Sequence, residues 1–293
     1  MFLRSRLTPN AQGGLWMLLS MAAFAIEDAL IKSLGSSLPL SQTLILFGIG
    51  GAVVFALDIL ANARPIFPEG LLGSVMALRA VFEAVGRLFF FWAVVVGSLS
   101  TATIILQATP IAVVLGAWLA FGERPTRRQM LALLAGAAGV FVVLQQSFDG
   151  LSWAAILSLV GMLGFAGRDL ASRAAPQILR LSHLGFAGFL TIVIIGFVFS
   201  FWEGQDFRPV AGVLWVKLSV AVGVGVLAYS GLMMAMRTGD VPAVAPFRYF
   251  RLIFGVAIGV LFFGEELTVQ TLFGAAMIIL SGLLLLRPRA VPA

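Results

Sequence analysis

Apolar stretches of about 20 residues follow one another along the whole chain, parted by short clusters of glycine, proline and charged residues. A helix of that length crosses a bilayer core of about 30 Å. Helical periodicity and this punctuation place ten such stretches, at 14–34, 40–61, 70–96, 101–121, 127–146, 152–175, 182–202, 210–236, 241–263 and 268–286. Connections between them are short and leave no room for a soluble domain. The pattern predicts an all-α integral membrane protein.

The stretches also repeat. Gly97–Thr126 lies over Gly239–Thr268 without a gap at an offset of 142 residues, with Gly97, Ile111, Val114, Leu119, Phe121, Gly122, Glu123 and Thr126 meeting identical residues. Repeats of this kind take precedence over element-by-element reading. They divide the chain into five-helix units at 14–146 and 152–286. Because five is odd, the second unit must enter the membrane from the opposite side. The expected architecture is ten transmembrane helices as two inverted five-helix repeats, in which a substrate site lies near mid-membrane between the halves.

Arg4 and Arg6, followed by an apolar run reaching Ala23-Phe24-Ala25, have the outline of a cleaved signal peptide. The segment has an internal counterpart, however: at an offset of 141, Asp28 and Lys32 match Asp169 and Arg173. A segment that belongs to a repeat is expected to be retained. Spacing further predicts that Asp28 with Lys32, and Asp169 with Arg173, form pairs within their own helices.

Arginines and lysines collect on the cytoplasmic side of short loops. With the N-terminus inside, Arg4, Arg6, Arg64, Arg124, Arg127, Arg128, Arg173, Arg180, Arg237, Arg287 and Arg289 fall on the inner side, against Lys32 and Arg208 outside. Both termini are therefore expected in the cytoplasm.

Composition narrows the function. The chain is 60% hydrophobic and 11% charged, with a mean hydropathy of +1.06, where soluble domains carry about a quarter charged residues. It has no cysteine and one histidine, which leaves no thiolate site and little for a zinc site, and no cofactor is expected. His183 reads as an interfacial residue. The formal charge of +6 is spread between apolar segments instead of forming a basic stripe, which argues against nucleic acid. No GxxxxGK[ST] loop is present.

Charges inside the spans cost about 2.5 to 3.5 kcal/mol each on insertion scales, and so mark partners, the bundle interior or water. Arg79, Glu83 and Arg87 stand at i, i+4 and i+8 on one face of the third span. They form either an ionic clamp between helices or the lining of a cavity. The ninth span carries Arg248 and Arg251 with no acid of its own, leaving them to bind substrate or to pair with Glu27 or Glu83. Glu27 shares a face with Ser20 and Phe24, and Phe90 shares one with Glu83 and Arg87. Gln107 is the repeat mate of Tyr249, and Tyr229 that of Arg87. The embedded set is Arg79, Arg87, Arg168, Arg248 and Arg251 against Glu27, Asp28, Glu83 and Asp169, an interior one charge positive that favours a carboxylate. Glu27, Arg79, Glu83, Arg87, Gln107, Tyr229, Arg248 and Arg251 are the expected substrate-binding residues.

Pro110, Pro242 and Pro246 remove backbone donors and are expected to bend the fourth and ninth spans as gating elements. Gly122 and Gly264 read as helix C-terminal glycines. Thr126 with Gln129 reads as a capping box, and Thr268 as an N-cap. Gly255-x-x-x-Gly259 and Gly161, Gly164 and Gly167 serve close helix packing, within the chain or in a dimer.

Two five-helix units, each with Phe-Gly-Glu (Phe121-Gly122-Glu123 and Phe263-Gly264-Glu265) before a glycine-rich last helix, resemble the drug/metabolite transporter superfamily, EamA type, over about residues 14–286. Within it the likeness is to bacterial amino-acid exporters, including those for aromatic amino acids. The resemblance implies a basket around a central cavity lined by spans 1, 3, 4, 6, 8 and 9, with spans 5 and 10 at the edge. Its expected partners are the lipid bilayer, a small-molecule substrate (an amino acid or related metabolite) and a coupling proton at Glu83 or Glu27. An exchanger of phosphorylated metabolites or nucleotide-sugars is the alternative within transport. An embedded enzyme would need a catalytic set that the short loops do not offer, and a scaffold would show no saturable flux.

Overall fold

The computed structural model describes residues 8–122, 125–144, 152–173, 179–238 and 244–286. Those residues form α1 (Pro9–Gly35), α2 (Leu40–Ala61), α3 (Ser74–Val96), α4 (Leu99–Leu106), α5 (Thr109–Phe121), α6 (Arg127–Leu144), α7 (Trp153–Arg173), α8 (Leu181–Glu203), α9 (Gly212–Thr238), a 3-10 turn (Ala245–Tyr249), α10 (Phe250–Phe263) and α11 (Val269–Leu286). α4 and α5 run on through a two-residue turn, and the 3-10 turn runs directly into α10, so the segments make ten rods. By length and composition six of the described rods can cross a membrane: α1, α2, the α4–α5 rod, α7, α8 and α9. Apolar stretches at Met130–Val143 and Val269–Ser281 are shorter. In α3, Arg79, Glu83 and Arg87 interrupt the apolar run.

The fourth and ninth spans are not the continuous helices that hydropathy suggests. Pro110, the second residue of α5, has no N–H for the carbonyl of Leu106, and the Thr109 hydroxyl donates to that carbonyl instead. The break falls at Gln107–Ala108, and the change from 3-10 to α geometry falls at Tyr249–Phe250, the same position 142 residues on. Pro246 lies in that 3-10 turn, while Pro242 lies outside the described residues. Gly122 (φ +69°) and Gly264 (φ +63°) end α5 and α10 in the left-handed conformation, which a Cβ would strain.

Packing respects the repeat. The intimate pairs are α1 with α9, α3 with α7, α2 with α8 and α6 with α11, followed by α1 with α10 and α5 with α7. Exchanging the two halves turns the first pair into the second and the fifth into the sixth, and returns α2 with α8 and α6 with α11 to themselves. Lipid is as apolar as the side chains, so close packing and interhelical hydrogen bonds hold such a bundle. A Cβ on Gly164 would run into the Gly86 nitrogen on α3, and one on Gly255 would come within 2.8 Å of Thr103 on α4. The small residues are thus used inside the chain. α6 and α11 meet through Gly139 and Gly274 at the edge of the bundle.

Carboxylates from one helix cap the start of another. Glu203, the last residue of α8, accepts from the Leu40 and Ser41 amides at 2.9 Å each, and Asp58 of α2 accepts from the Ser182 hydroxyl at the start of α8. His183 is buried beside this joint, its Nε2 3.0 Å from the Pro65 carbonyl. Thr268 Oγ1 accepts from Thr271 N at 3.3 Å and caps α11. Thr126 immediately precedes α6, and the Gln129 side chain lies outside the described residues.

Candidate functional site

All nine embedded charges expected from the sequence meet in the bundle. Glu83 is the hub. Its Oε1 lies 3.5 Å from Arg87 Nε and 3.3 Å from Arg168 Nη1, and its Oε2 lies 3.3 Å from Arg79 Nη2. The i, i+4, i+8 spacing on α3 sets up two of these contacts, and the close α3–α7 packing delivers Arg168 as the third. Arg87 then reaches α1, where its Nη1 donates to Glu27 Oε1 at 2.7 Å.

From the hub the chain continues through α7 to the ninth span. Asp169 Oδ1 accepts from Arg168 Nη2 at 2.8 Å and Nε at 3.1 Å, and its Oδ2 lies 3.6 Å from Arg248 Nη2. Arg79 also donates from Nε to Ser172 Oγ at 3.0 Å and from Nη2 to the Tyr229 hydroxyl at 3.4 Å, which brings in α9. Beside this chain Arg251 grips Asp28 from α1 through both carboxylate oxygens, at 2.7 and 3.0 Å. Aromatic rings floor the array: Arg251 lies 4.7 Å from the Phe24 ring and 5.3 Å from Phe90, and Arg168 lies 4.9 Å from Phe165.

Several expectations are corrected here. Asp28 does not pair with Lys32, because Arg251 takes its carboxylate. Lys32 instead donates to the Val94 carbonyl at 3.0 Å and to that of Gly97, the unsatisfied carbonyls at the end of α3, and its Nζ sits 3.5 Å from Glu265 Oε1. Asp169 pairs with Arg168 and Arg248, and the Arg173 side chain lies outside the described residues. Arg248 and Arg251 meet Asp169 and Asp28, not Glu27 or Glu83. Gln107 is buried at the α4–α5 turn, and among the described residues no hydrogen bond or ion pair joins it to the charged array. Asp28, Arg168 and Asp169, expected among the embedded charges but not among the binding residues, belong to the array, and Ser172 joins it without any sign in the sequence pattern.

The array is graded in exposure. Side-chain exposure is 0% at Glu27 and Asp28 and 1% at Glu83, but 25% at Asp169 and 37% at Arg248. Asp169 stands one turn before the end of α7, and Arg248 stands in the 3-10 turn that opens the ninth span. The charges are therefore reachable from that end of the bundle. At the opposite end Glu265 closes over α4, accepting from Leu99 N at 2.7 Å, Ser100 N at 2.8 Å and the Ser98 hydroxyl at 2.8 Å. Burial alone would raise this carboxyl, but the hydrogen bonds from Ser100, Leu99 and Ser98 outweigh it and hold it below its ordinary value. A separate cleft of about 330 Å³ near Gly35, Trp92, Phe199 and Trp202 lies away from the array. Among the described residues no group of three or more His, Asp or Glu is placed to hold a metal ion.

The model of the EamA-like transporter family matches residues 11–145 and again 152–287, nearly the whole chain. The chain belongs to the EamA-like transporter family. Its relatives are transporters too. A riboflavin transporter of Rhizobium johnstonii is 26% identical over 94% of this chain and 91% of its own length. A pseudopaline exporter of Pseudomonas aeruginosa is 24% identical over 94% of this chain and 96% of its own. An S-adenosylmethionine uptake transporter of Rickettsia prowazekii is 22% identical over 90% and 88%. A solved crystal structure covering 92% of this chain and 96% of its own superposes with a TM-score of 0.61 at 17% identity, which speaks for the fold alone. In this EamA-like transporter the charged array takes residues from both matched segments, with α1 and α3 from one and α7, α9 and the ninth span from the other.

Proposed function

We propose that this protein is a secondary transporter of the cell inner membrane, with two inverted five-helix halves (14–146 and 152–286) and both termini cytoplasmic, that exports amino acids or related small metabolites by alternating access. The observation that carries the reading is the continuous charged array between the halves, buried at Glu27 and reaching solvent at Arg248. Five guanidinium groups face four carboxylates, an excess of one positive charge that draws an anionic group such as a carboxylate.

Among the arginines expected to hold a substrate carboxylate, Arg87 and Arg251 already have short carboxylate partners at 2.7 Å. Arg248, 3.6 Å from Asp169 and the most exposed, is the first contact. By this count a zwitterionic amino acid leaves the site one charge positive and a phosphorylated dianion leaves it one charge negative, so the net charge alone does not separate the two readings. For a coupling proton Glu27 is the better carrier, because it is ion-paired with Arg87 while Glu83 faces three guanidinium groups. The breaks at Gln107–Ala108 and Tyr249–Phe250 give both halves a bend about which the fourth and ninth spans rock.

The test is solute flux into liposomes holding the purified protein, with labelled amino acids alongside phosphorylated metabolites. Saturable amino-acid flux that Arg248→Gln lowers by about tenfold or more agrees with the proposal. Flux of phosphorylated compounds alone replaces it with the exchanger reading.

A further inference from the structure

Of the four carboxylates in the array, three are sealed: Glu27, Asp28 and Glu83 have side chains 0 to 1% exposed and lie against guanidinium groups. Asp169 differs. Its Oδ1 is held firmly by Arg168, whereas among the described residues its Oδ2 meets Arg248 alone, at 3.6 Å, and its side chain is a quarter exposed. Arg248 in turn is the most exposed guanidinium of the array. The accessible end thus presents one acid and one base side by side, the complement of a head group that carries a carboxylate and an ammonium together.

We propose that Asp169 is the specificity-determining residue of the site. It holds Arg248 loosely while the site is empty, gives way to the substrate carboxylate and takes the substrate ammonium. This rests on the reading of the protein as an amino-acid transporter. The exchange keeps charges matched at each stage. Before binding, Arg248 has Asp169. Afterwards Arg248 has the carboxylate, and Asp169 lies between Arg168 and the ammonium. A substrate with a carboxylate but no ammonium must pull Arg248 from Asp169 and gives Asp169 nothing in return, so it is selected against. Asp169 is then left with Arg168 alone, and the loss of one of its two cationic partners without replacement is what gives the discrimination.

The experiment measures binding and liposome flux of amino acids and of their deamino counterparts with the same side chain: phenylalanine with 3-phenylpropionate, and leucine with 4-methylpentanoate. Wild type, Asp169→Asn and Asp169→Glu are compared. The expected result is that wild type prefers the amino acid by about tenfold or more, that Asp169→Asn loses this preference by gaining affinity for the deamino acid, and that Asp169→Glu retains it. A purely structural role would weaken both ligands in parallel and leave their ratio unchanged. If wild type favours the amino acid and Asp169→Asn keeps the same ratio, the assignment of Asp169 is wrong while the transport reading stands. Equal handling of both ligands by wild type also overturns it. If no amino acid moves in wild type, both the transport reading and this inference fall.

Discussion

Arg87 on α3 donates to Glu27 on α1 at 2.7 Å, with both side chains buried, and so ties two helices of the same half across the centre of the bundle. Removing one partner leaves the other charge buried and uncompensated, at a cost of about 3 to 5 kcal/mol, whereas removing both is far less harmful. Glu27→Gln and Arg87→Met should each lower the melting temperature in detergent sharply, and the double variant should recover most of the loss. A double variant that is simply the sum of the singles would show that the pair does not couple.

Gly122 and Gly264 occupy the same repeat position and share a positive φ, and a Cβ built on either meets nothing within 4 Å. Conformation, not space, is therefore what demands glycine. Alanine at either position should cost about 1 to 2 kcal/mol, and the two losses should be nearly equal. Unequal losses in thermal or denaturant unfolding would mean that the two helix ends are held by different interactions.

These glycines belong to the part of the molecule that the sequence makes legible. Apolar runs and their punctuation locate the rods because span length is set by the bilayer, and the offset identities locate the halves. The Arg79, Glu83 and Arg87 face is legible for the same reason, since helical spacing alone places it. Partners on other helices are a different matter. Asp28 stands one turn from Lys32, which suggests a local pair, but the packing of α1 on the ninth span aims Asp28 at Arg251 and leaves Lys32 for the end of α3. Asp169 likewise reaches Arg248 on the ninth span, a partner that its spacing from Arg173 does not announce. In Phe263-Gly264-Glu265 the glycine declares itself by its place after a helix, while Glu265 acts on a helix some 165 residues away in sequence. No local pattern encodes that.

Pro110 breaks the fourth span by leaving the Leu106 carbonyl to the Thr109 hydroxyl. Pro110→Ala restores an amide that can take this carbonyl and should straighten the rod. The expected outcome is stability equal to or above wild type, by about 1 kcal/mol at most, together with slower flux at unchanged substrate affinity. Flux measured at saturating and limiting substrate separates the two effects. Unchanged maximal flux would exclude the break as a moving part.

Glu265 caps the start of α4 with both carboxylate oxygens and lies 3.5 Å from Lys32, so one residue joins the first, fourth and ninth spans at the end opposite Arg248. Opening a path to the array from that side requires these contacts to part. Charge-assisted hydrogen bonds contribute about 1.5 to 3 kcal/mol each, so Glu265→Ala should raise the open population by about tenfold or more. Because the chain has no cysteine, a single Ser100→Cys placed under the clasp reports on this directly. A membrane-impermeant maleimide should label it slowly with Glu265 present and much faster with Glu265→Ala. The carboxyl lies below its ordinary value of 4.5, so the clasp is complete above that pH and weakens only as the pH falls through the lower folded value. Labelling with Glu265 present should accordingly stay slow from neutral pH down to 4.5 and should not rise over that range. A rate that climbs between neutral pH and 4.5, or that ignores Glu265→Ala, would show that something other than this carboxylate keeps that end of the bundle shut.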